Sequence, residues 1–442
     1  MEATIETVPL ARYATYKDSG VEWLGEIPAH WTVRKIKNVA DMLISNVDKH
    51  SKPLETPVKL CNYTDVYKHD FITSEIKFMK ATASEDEINR FKIEINDVLI
   101  TKDSEDWLDI GIPALVKYEE DHLVCGYHLA ILRPKEALSG GFLYQAVSSL
   151  SVKTQFSIQA NGVTRYGISQ GAIKNTVIPL PPPKEQTRIA NFLNQKTAQI
   201  DQAIAQKERL IELLQERRQV MIHRAVTRGI NPDVPMKDSG VEWIGEIPAH
   251  WEVKRAKYIF DEINERSESG TEELLSVSHM TGVTLRSEKN ISMFMAEDYT
   301  GSKLCRKNDL IINIMWAWMG ALGVSNLKGI VSPSYGVYRQ KRLNTFNSWY
   351  LDHLLRDSSY VDEYNRRSTG LHSSRLRLYS YMFFDMELAV PPKEEQDAIK
   401  AKMLRNTDKI DATISRIRNE IVGLKELKAT LINSAVTGKI KV

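Results

Sequence analysis

Cysteine is scarce: Cys61, Cys125 and Cys305 are the only three in 442 residues and stand far apart. That excludes a CxxC pair and a disulfide framework and fits inert thiols in a reducing compartment. Excess charge is missing too, with 59 Lys and Arg against 57 Asp and Glu, so the chain is not a uniformly cationic nucleic-acid coat and any basic surface is local. No apolar run reaches the roughly 20 residues of a membrane helix. The most apolar stretch, Leu310 to Val324, is broken by Asn313 and is expected to be two buried strands or a hairpin. The first twenty residues carry Glu2 and Glu6 and no apolar core, so no secretory leader and a cytoplasmic location are expected. At 42% hydrophobic and 26% charged, the composition excludes wholesale disorder and collagen and suits about two to four globular domains.

Catalytic motifs are equally scarce. An adenine methyltransferase needs a [DN]PP[YFW] loop, but both Pro-Pro runs, Pro181 to Pro183 and Pro391–Pro392, are followed by Lys. The GxxxxGK[ST] phosphate cradle is missing, since Gly438–Lys439 precedes Ile440. HExxH and zinc-ligand spacings do not occur, and the ten histidines form no paired cluster. Pro232–Asp233 followed by Glu252, Val253 and Lys254 imitates the PD…ExK pattern of a metal-dependent nuclease. The matching first-copy segment reads Thr32, Val33, Arg34, which favours solvated linker charges. Neither catalytic residues nor a metal site is expected.

What is present is a duplication. KDSGVEWLGEIPAHW at 17–31 returns as KDSGVEWIGEIPAHW at 237–251 with fourteen of fifteen positions identical. The 220-residue offset is too long for a solenoid unit and marks a repeated domain. A second pair follows, PPPKEQ…AVTRGI at 181–230 and PPKEEQ…AVTGKI at 391–440. Trp23, Trp31, Trp243 and Trp251 recur at matching places and are expected to anchor the cores.

Residues 189–225 and 399–435 read as long helices. A 3-4 spacing runs through Leu193, Ile200, Ile204, Ile211, Leu214 and Met221, and again through Met403, Ile410, Ile414, Ile417, Ile421, Leu424 and Leu431. Thr197, Lys207 and Arg218 interrupt the first seam, and Thr407 and Lys428 the second. Such a seam needs a partner helix. The other copy is the expected partner, the alternative being that each helix packs on its own domain. A 37-residue helix spans about 55 Å, roughly 16 base pairs of duplex.

Between these frames lie two variable regions of mixed strand and helix, about 32–180 and 252–390. Strands are expected at Asp97 to Thr101, His122 to Cys125, His128 to Leu132, Asp309 to Ile314 and Gly336 to Arg339, and helices near Phe142 to Phe156 and Trp349 to Tyr364. The order NDVLI then CGYHLAILRP returns as NDLII then VSPSYGVYRQK, one fold with different side chains. Both regions interleave cations with aromatics, as nucleic-acid surfaces do. Candidate DNA-binding residues are Lys102, Tyr127, His128, Arg133, Asn161, Thr164, Arg165 and Tyr166 in the first region. In the second they are Trp316, Ser334, Tyr335, Arg339, Arg366, Arg367, His372, Arg375 and Arg377. A solvated charged face is the alternative for any one of them.

The repeated opening motif, the PPPKEQ and PPKEEQ boxes with their helices, and the AVTRGI and AVTGKI exits together resemble the specificity subunit of type I restriction-modification enzymes, over nearly the whole chain. The resemblance implies an α+β chain of two mixed α/β target recognition domains in tandem repeat, separated and joined by two long helices forming an antiparallel coiled coil. The expected division is 1–180, first recognition domain; 181–230, central helix; 231–390, second recognition domain; 391–442, C-terminal helix. It implies no catalysis in this chain: each recognition domain reads half of a bipartite double-stranded DNA target and the helices set the gap. Expected partners are two methyltransferase subunits and the restriction subunits, which would hold S-adenosylmethionine, ATP and Mg²⁺, while this chain holds no cofactor. A metal-dependent nuclease and a scaffold that never touches DNA are the competing readings.

Overall fold

In the computed structural model of the chain, which describes residues 11–289, 298–372 and 375–442, both opening motifs form the same antiparallel ribbon. Tyr16–Asp18 pairs with Glu26–Pro28, and Met236–Asp238 with Glu246–Pro248. Gly20 and Gly25, like Gly240 and Gly245, hold positive φ in the connection, a conformation that Cβ disfavours. Glu2 and Glu6, on which the leader expectation rests, lie outside the described residues. Trp31 and Trp251 are fully buried, and each indole donates to a carboxylate in the first turn of a long helix, Glu185 at 2.7 Å and Glu395 at 3.0 Å. Trp23 departs from the expected core role: it sits in the ribbon's turn, outside every sheet, and is 48% exposed. Trp243 is half-buried, edge-on to Tyr360 at 4.7 Å.

The chain divides into two compact units, one running to Glu208 and including Arg418–Val442, the other Arg209–Ile417. In the first, a five-stranded sheet has the order Ala40–Ile44, Leu129–Pro134, Val98–Thr101, Pro113–Val116, Phe71–Ile72, antiparallel except for the last pair. The second has the corresponding order Phe260–Glu262, Gly336–Gln340, Leu310–Ile312, Leu322–Val324, all antiparallel. Leu310 to Val324 is thus a pair of strands.

Each central strand is an unbroken apolar run because both of its faces are covered. Val98 and Ile100 point into the core under Phe142, Leu143 and Phe156, while Leu99 joins Leu60, Phe91 and Ile131 on the other face. Leu310 and Ile312 alternate with Ile311 in the same way. The stretches expected as single helices are each two: Gly140–Ser148 and Leu150–Ile158, Ser348–Leu355 and Ser358–Arg367. They break where Ser149 and Asp357 cap the second helix, accepting from the backbone amides of Val152 and Ser359.

The long helices are Pro183–Arg228 and Lys393–Val436. They begin earlier than the expected 189 and 399: Pro183 opens the first, where the N1 position needs no N–H, and Lys393 opens the second directly after Pro392. The box glutamines tie each start down: Gln186 accepts from Ser139 N and donates to Ala137 O and Pro181 O, and Gln396 accepts from Asn347 N and donates to Thr345 O and Pro391 O. Both amides are fully buried and satisfied.

The helices run antiparallel. Within the first unit Lys207 meets Glu420 at 2.6 Å and Lys428 meets Asp201 at 2.7 Å; within the second, Arg218 meets Asp411 at 3.2 Å. The cations that interrupt the seam are therefore cross-helix ion pairs, each stabilising by about 0–1 kcal/mol and setting register more than strength. Ile200, Ile204, Ile410, Ile414, Ile417 and Ile421 are buried, and Ile211, Leu214 and Leu424 half-buried. At the helix ends the same stripe serves a domain core instead: Leu193 and Leu431 pack into the first, Met221 and Met403 into the second.

Candidate nucleic-acid interface

In each unit the chain leaving the central strand is met by a later segment, a β-hairpin in the first and a loop closed by one β-bridge in the second. Past Thr101, Asp103–Ser104 forms an edge beside Tyr166–Ile168, which pairs with Ala160–Gly162. Ile168 N donates to Lys102 O at 2.9 Å. In the second unit Leu378 N donates to Ile314 O at 3.0 Å, and Thr369 and Arg377 exchange two backbone bonds that close the corresponding loop. A Cβ on Gly162 would lie 2.0 Å from Arg165 O, and one on Gly370 would lie 2.3 Å from Arg375 O. Both tight turns therefore require glycine.

The first hairpin brings Lys102, Tyr127, His128, Arg165 and Tyr166 together around Asp103. Asp103 accepts from His128 Nδ1 and from Arg165 Nη2, each at 2.6 Å. Tyr127 lies 3.7 Å from His128, ring centroid to centroid, and Tyr63 meets the same imidazole edge-on. Burial lowers the pKa of the Lys102 ammonium, and the Asp103 carboxylate raises that of the Arg165 guanidinium. Asn161 and Thr164 are exposed on the hairpin, Asn161 bonding to Gln159 O.

On the second face Trp316 is exposed and stacked on Trp318 at 6.1 Å. Asn313 Nδ2 donates to the Tyr335 hydroxyl at 3.0 Å, and burial raises the pKa of that phenol. Ser334 is exposed beside it. His372, Arg375 and Arg377 stand exposed on the closing loop, and neither arginine has a side-chain hydrogen bond or ion pair among the described residues.

Four candidate arginines also hold carboxylates of their own unit. Arg133 grips Asp97 through Nε at 2.9 Å and Nη2 at 2.7 Å, and Arg339 grips Asp309 at 2.8 Å through both. Asp97 and Asp309 are almost fully buried, so these pairs neutralise interior charge. Arg366 forms a fork on Glu363, which is 2% exposed, and Arg367 bonds to the same carboxylate. A helix i, i+3 and i+4 geometry holds both.

Cations and aromatics alone do not point to Asp103; its place, two residues past the Val98–Thr101 strand, is the signal that could have found it. Glu252 is exposed and paired with Lys254. Among the described residues no group of three or more His, Cys, Asp or Glu is placed to hold a metal ion.

Two strand-exit loops, one met by a hairpin and one by a closing loop, stand in two tandem units of like sheet order. Residues 28–213 match the family described as type I restriction modification DNA specificity domain. The chain is similar to a Methanocaldococcus jannaschii protein assigned as the type I restriction enzyme MjaX specificity subunit, 25% identical over 95% of this chain and 96% of that one. It is also similar to the MjaVIII specificity subunit of the same organism, 26% identical over 66% and 69%, and to the EcoKI specificity subunit of Escherichia coli, 24% identical over 46% and 44%. Its fold resembles a chain from a structural study of assembly and conformational transition in a type I R-M system, with TM-score 0.65, 16% identity and coverage of 93% and 98%. The HsdS subunit of Thermoanaerobacter tengcongensis gives TM-score 0.53 at 17% identity, over 94% and 98%. Residues 28–213 thus carry the match to the type I DNA specificity domain, and over nearly its whole length the chain is similar to a type I restriction enzyme specificity subunit.

Proposed function

We propose that this chain is the non-catalytic DNA sequence-specificity subunit of a type I restriction-modification complex, each unit reading one half of a bipartite duplex target. The observation that carries this reading is the strand-exit clasp built twice with different side chains. Ile168 on Lys102 O and Leu378 on Ile314 O fix one backbone arrangement, while the exposed groups are Tyr127 and Arg165 on one face and Trp316, Arg375 and Arg377 on the other. Phosphate contacts would hold register and a few side chains at base edges would specify. The paired helices would set the gap and dock two methyltransferase subunits together with restriction subunits. Those partners would supply S-adenosylmethionine, ATP and Mg²⁺ chemistry. Among the described residues no helix is long and apolar enough to cross a membrane, in keeping with work on cytoplasmic DNA.

The second face supplies the test. Arg375→Ala or Arg377→Ala should weaken binding of the assembled complex to its target by about 1–3 kcal/mol and relax one position of one half-site if the guanidinium reaches a base. If it grips phosphate, the slope of log affinity against log salt should fall by about 1 with the sequence preference kept. Binding that neither substitution alters, in affinity, preference or salt slope, would remove this face from the interface.

A further inference from the structure

We propose that Asp103 is the positioning residue of the first face, fixing Arg165 as a rigid fork for a guanine in the first half-site and orienting His128 beside it. This rests on the reading that the first unit contacts DNA. Each carboxylate oxygen has one partner, Oδ2 the His128 Nδ1 and Oδ1 the Arg165 Nη2, both at 2.6 Å. The carboxylate itself is held by the sheet, since Asp103 is paired with Gly167 and Ser104 with Tyr166. Side-chain exposure grades outward, from 21% for Asp103 and 25% for His128 to 56% for Arg165. A sheltered anion thus anchors an outward guanidinium.

Arg165 stands on the three-residue turn between Gly162 and Tyr166, where a free arginine would sample many rotamers and lose side-chain entropy on binding. Asp103 takes one of its five N–H groups and leaves the rest of the planar fork, the geometry that meets guanine O6 and N7. At a phosphate, a neighbouring carboxylate partly cancels the guanidinium's attraction. Base reading gains a fixed plane. With Nδ1 held against Asp103 Oδ2, His128 keeps its other ring nitrogen, Nε2, for the adjoining base. The second face has no counterpart: alignment of Lys102 with Ile314 through their matching carbonyl contacts places Met315 where Asp103 stands.

The test compares genome-wide methyladenine patterns from host cells making the full chain with Arg165→Ala, Asp103→Ala or Asp103→Asn. The wild-type pattern should contain a guanine in one half-site. At that position alone, Arg165→Ala and Asp103→Ala should lower discrimination by roughly 5- to 150-fold, the worth of one bidentate pair, with the other half-site and the gap unchanged. Asp103→Asn keeps the shape, should relax the same position, and decides the matter if the alanine variant does not accumulate. A uniform loss of methylation with base preference intact, or no change in preference in any variant, overturns the proposal. Absence of any bipartite pattern from wild-type cells would instead overturn the reading on which it rests.

Discussion

Arginine is abundant in both variable regions, and its neighbours decide its job. Arg133 and Arg339 each stand one residue from the end of a sheet strand, and each meets a carboxylate that is 1% exposed. The asparagines before those carboxylates, Asn96 and Asn308, take positive φ in both copies, so the repeated Asn-Asp of NDVLI and NDLII is a turn followed by a charge clamp. Removing either guanidinium strands a buried anion. Arg133→Met or Arg339→Met should therefore destabilise the folded chain by about 3–5 kcal/mol, measured by denaturant unfolding, while the methylated sequence stays the same; a stable variant with altered base preference would return that arginine to the interface. Sequence alone does not reveal these two pairs because Asp97 and Asp309 are 36 and 30 residues distant, and only the sheet brings them close. Arg165, Arg375 and Arg377 kept their exposed places because a hairpin, legible in the Gly-flanked NGVTRYGIS, carries the first and its counterpart loop the others.

At the scale of elements, the recurrent boxes acquire separate duties. The glutamate of each box receives the buried tryptophan of the opening motif, and the adjoining glutamine satisfies the loop before the helix. Neither duty is visible in a helix-propensity reading, which treats the prolines as a stop and starts the helices six residues late. The central strands and the seam were legible, since apolar period alone specifies them. The breaks at Ser149 and Asp357 were not, because the apolar pattern continues across both while the cap changes only the backbone. The antiparallel register, with Lys207 on Glu420 and Lys428 on Asp201, fixes how a spacer can be shortened. Deleting residues 204–210 together with 419–425 removes one heptad from each helix, about 10 Å, and should shorten the gap between half-sites by about three base pairs with both half-sites unchanged. Altered half-site sequences at an unaltered gap, read from the methylated motif, would refute the spacer role.

For the whole molecule, sequence order and spatial order differ. The repeat suggests a division at 180, 230 and 390, yet the first compact unit also takes in Arg418–Val442. Ile432, Ala435 and Val436 lie in the core with Trp31, Tyr16 donates its hydroxyl to Gly438 O, and Lys441 N donates to Ala11 O. Ala225 and Val226 do the same for Trp251 in the second unit. A repeated exit motif tells that two such contacts exist, but not which domain receives each, because identical sequences fit identical pockets. The duplication matters for function because two like frames present two unlike faces. Mapping methyladenine by single-molecule sequencing in the host, with and without this gene, tests that most directly. Loss of one two-part motif with a fixed gap is the expected result; an unchanged methylation pattern in cells that make the chain would contradict its assignment as the subunit that chooses the sequence.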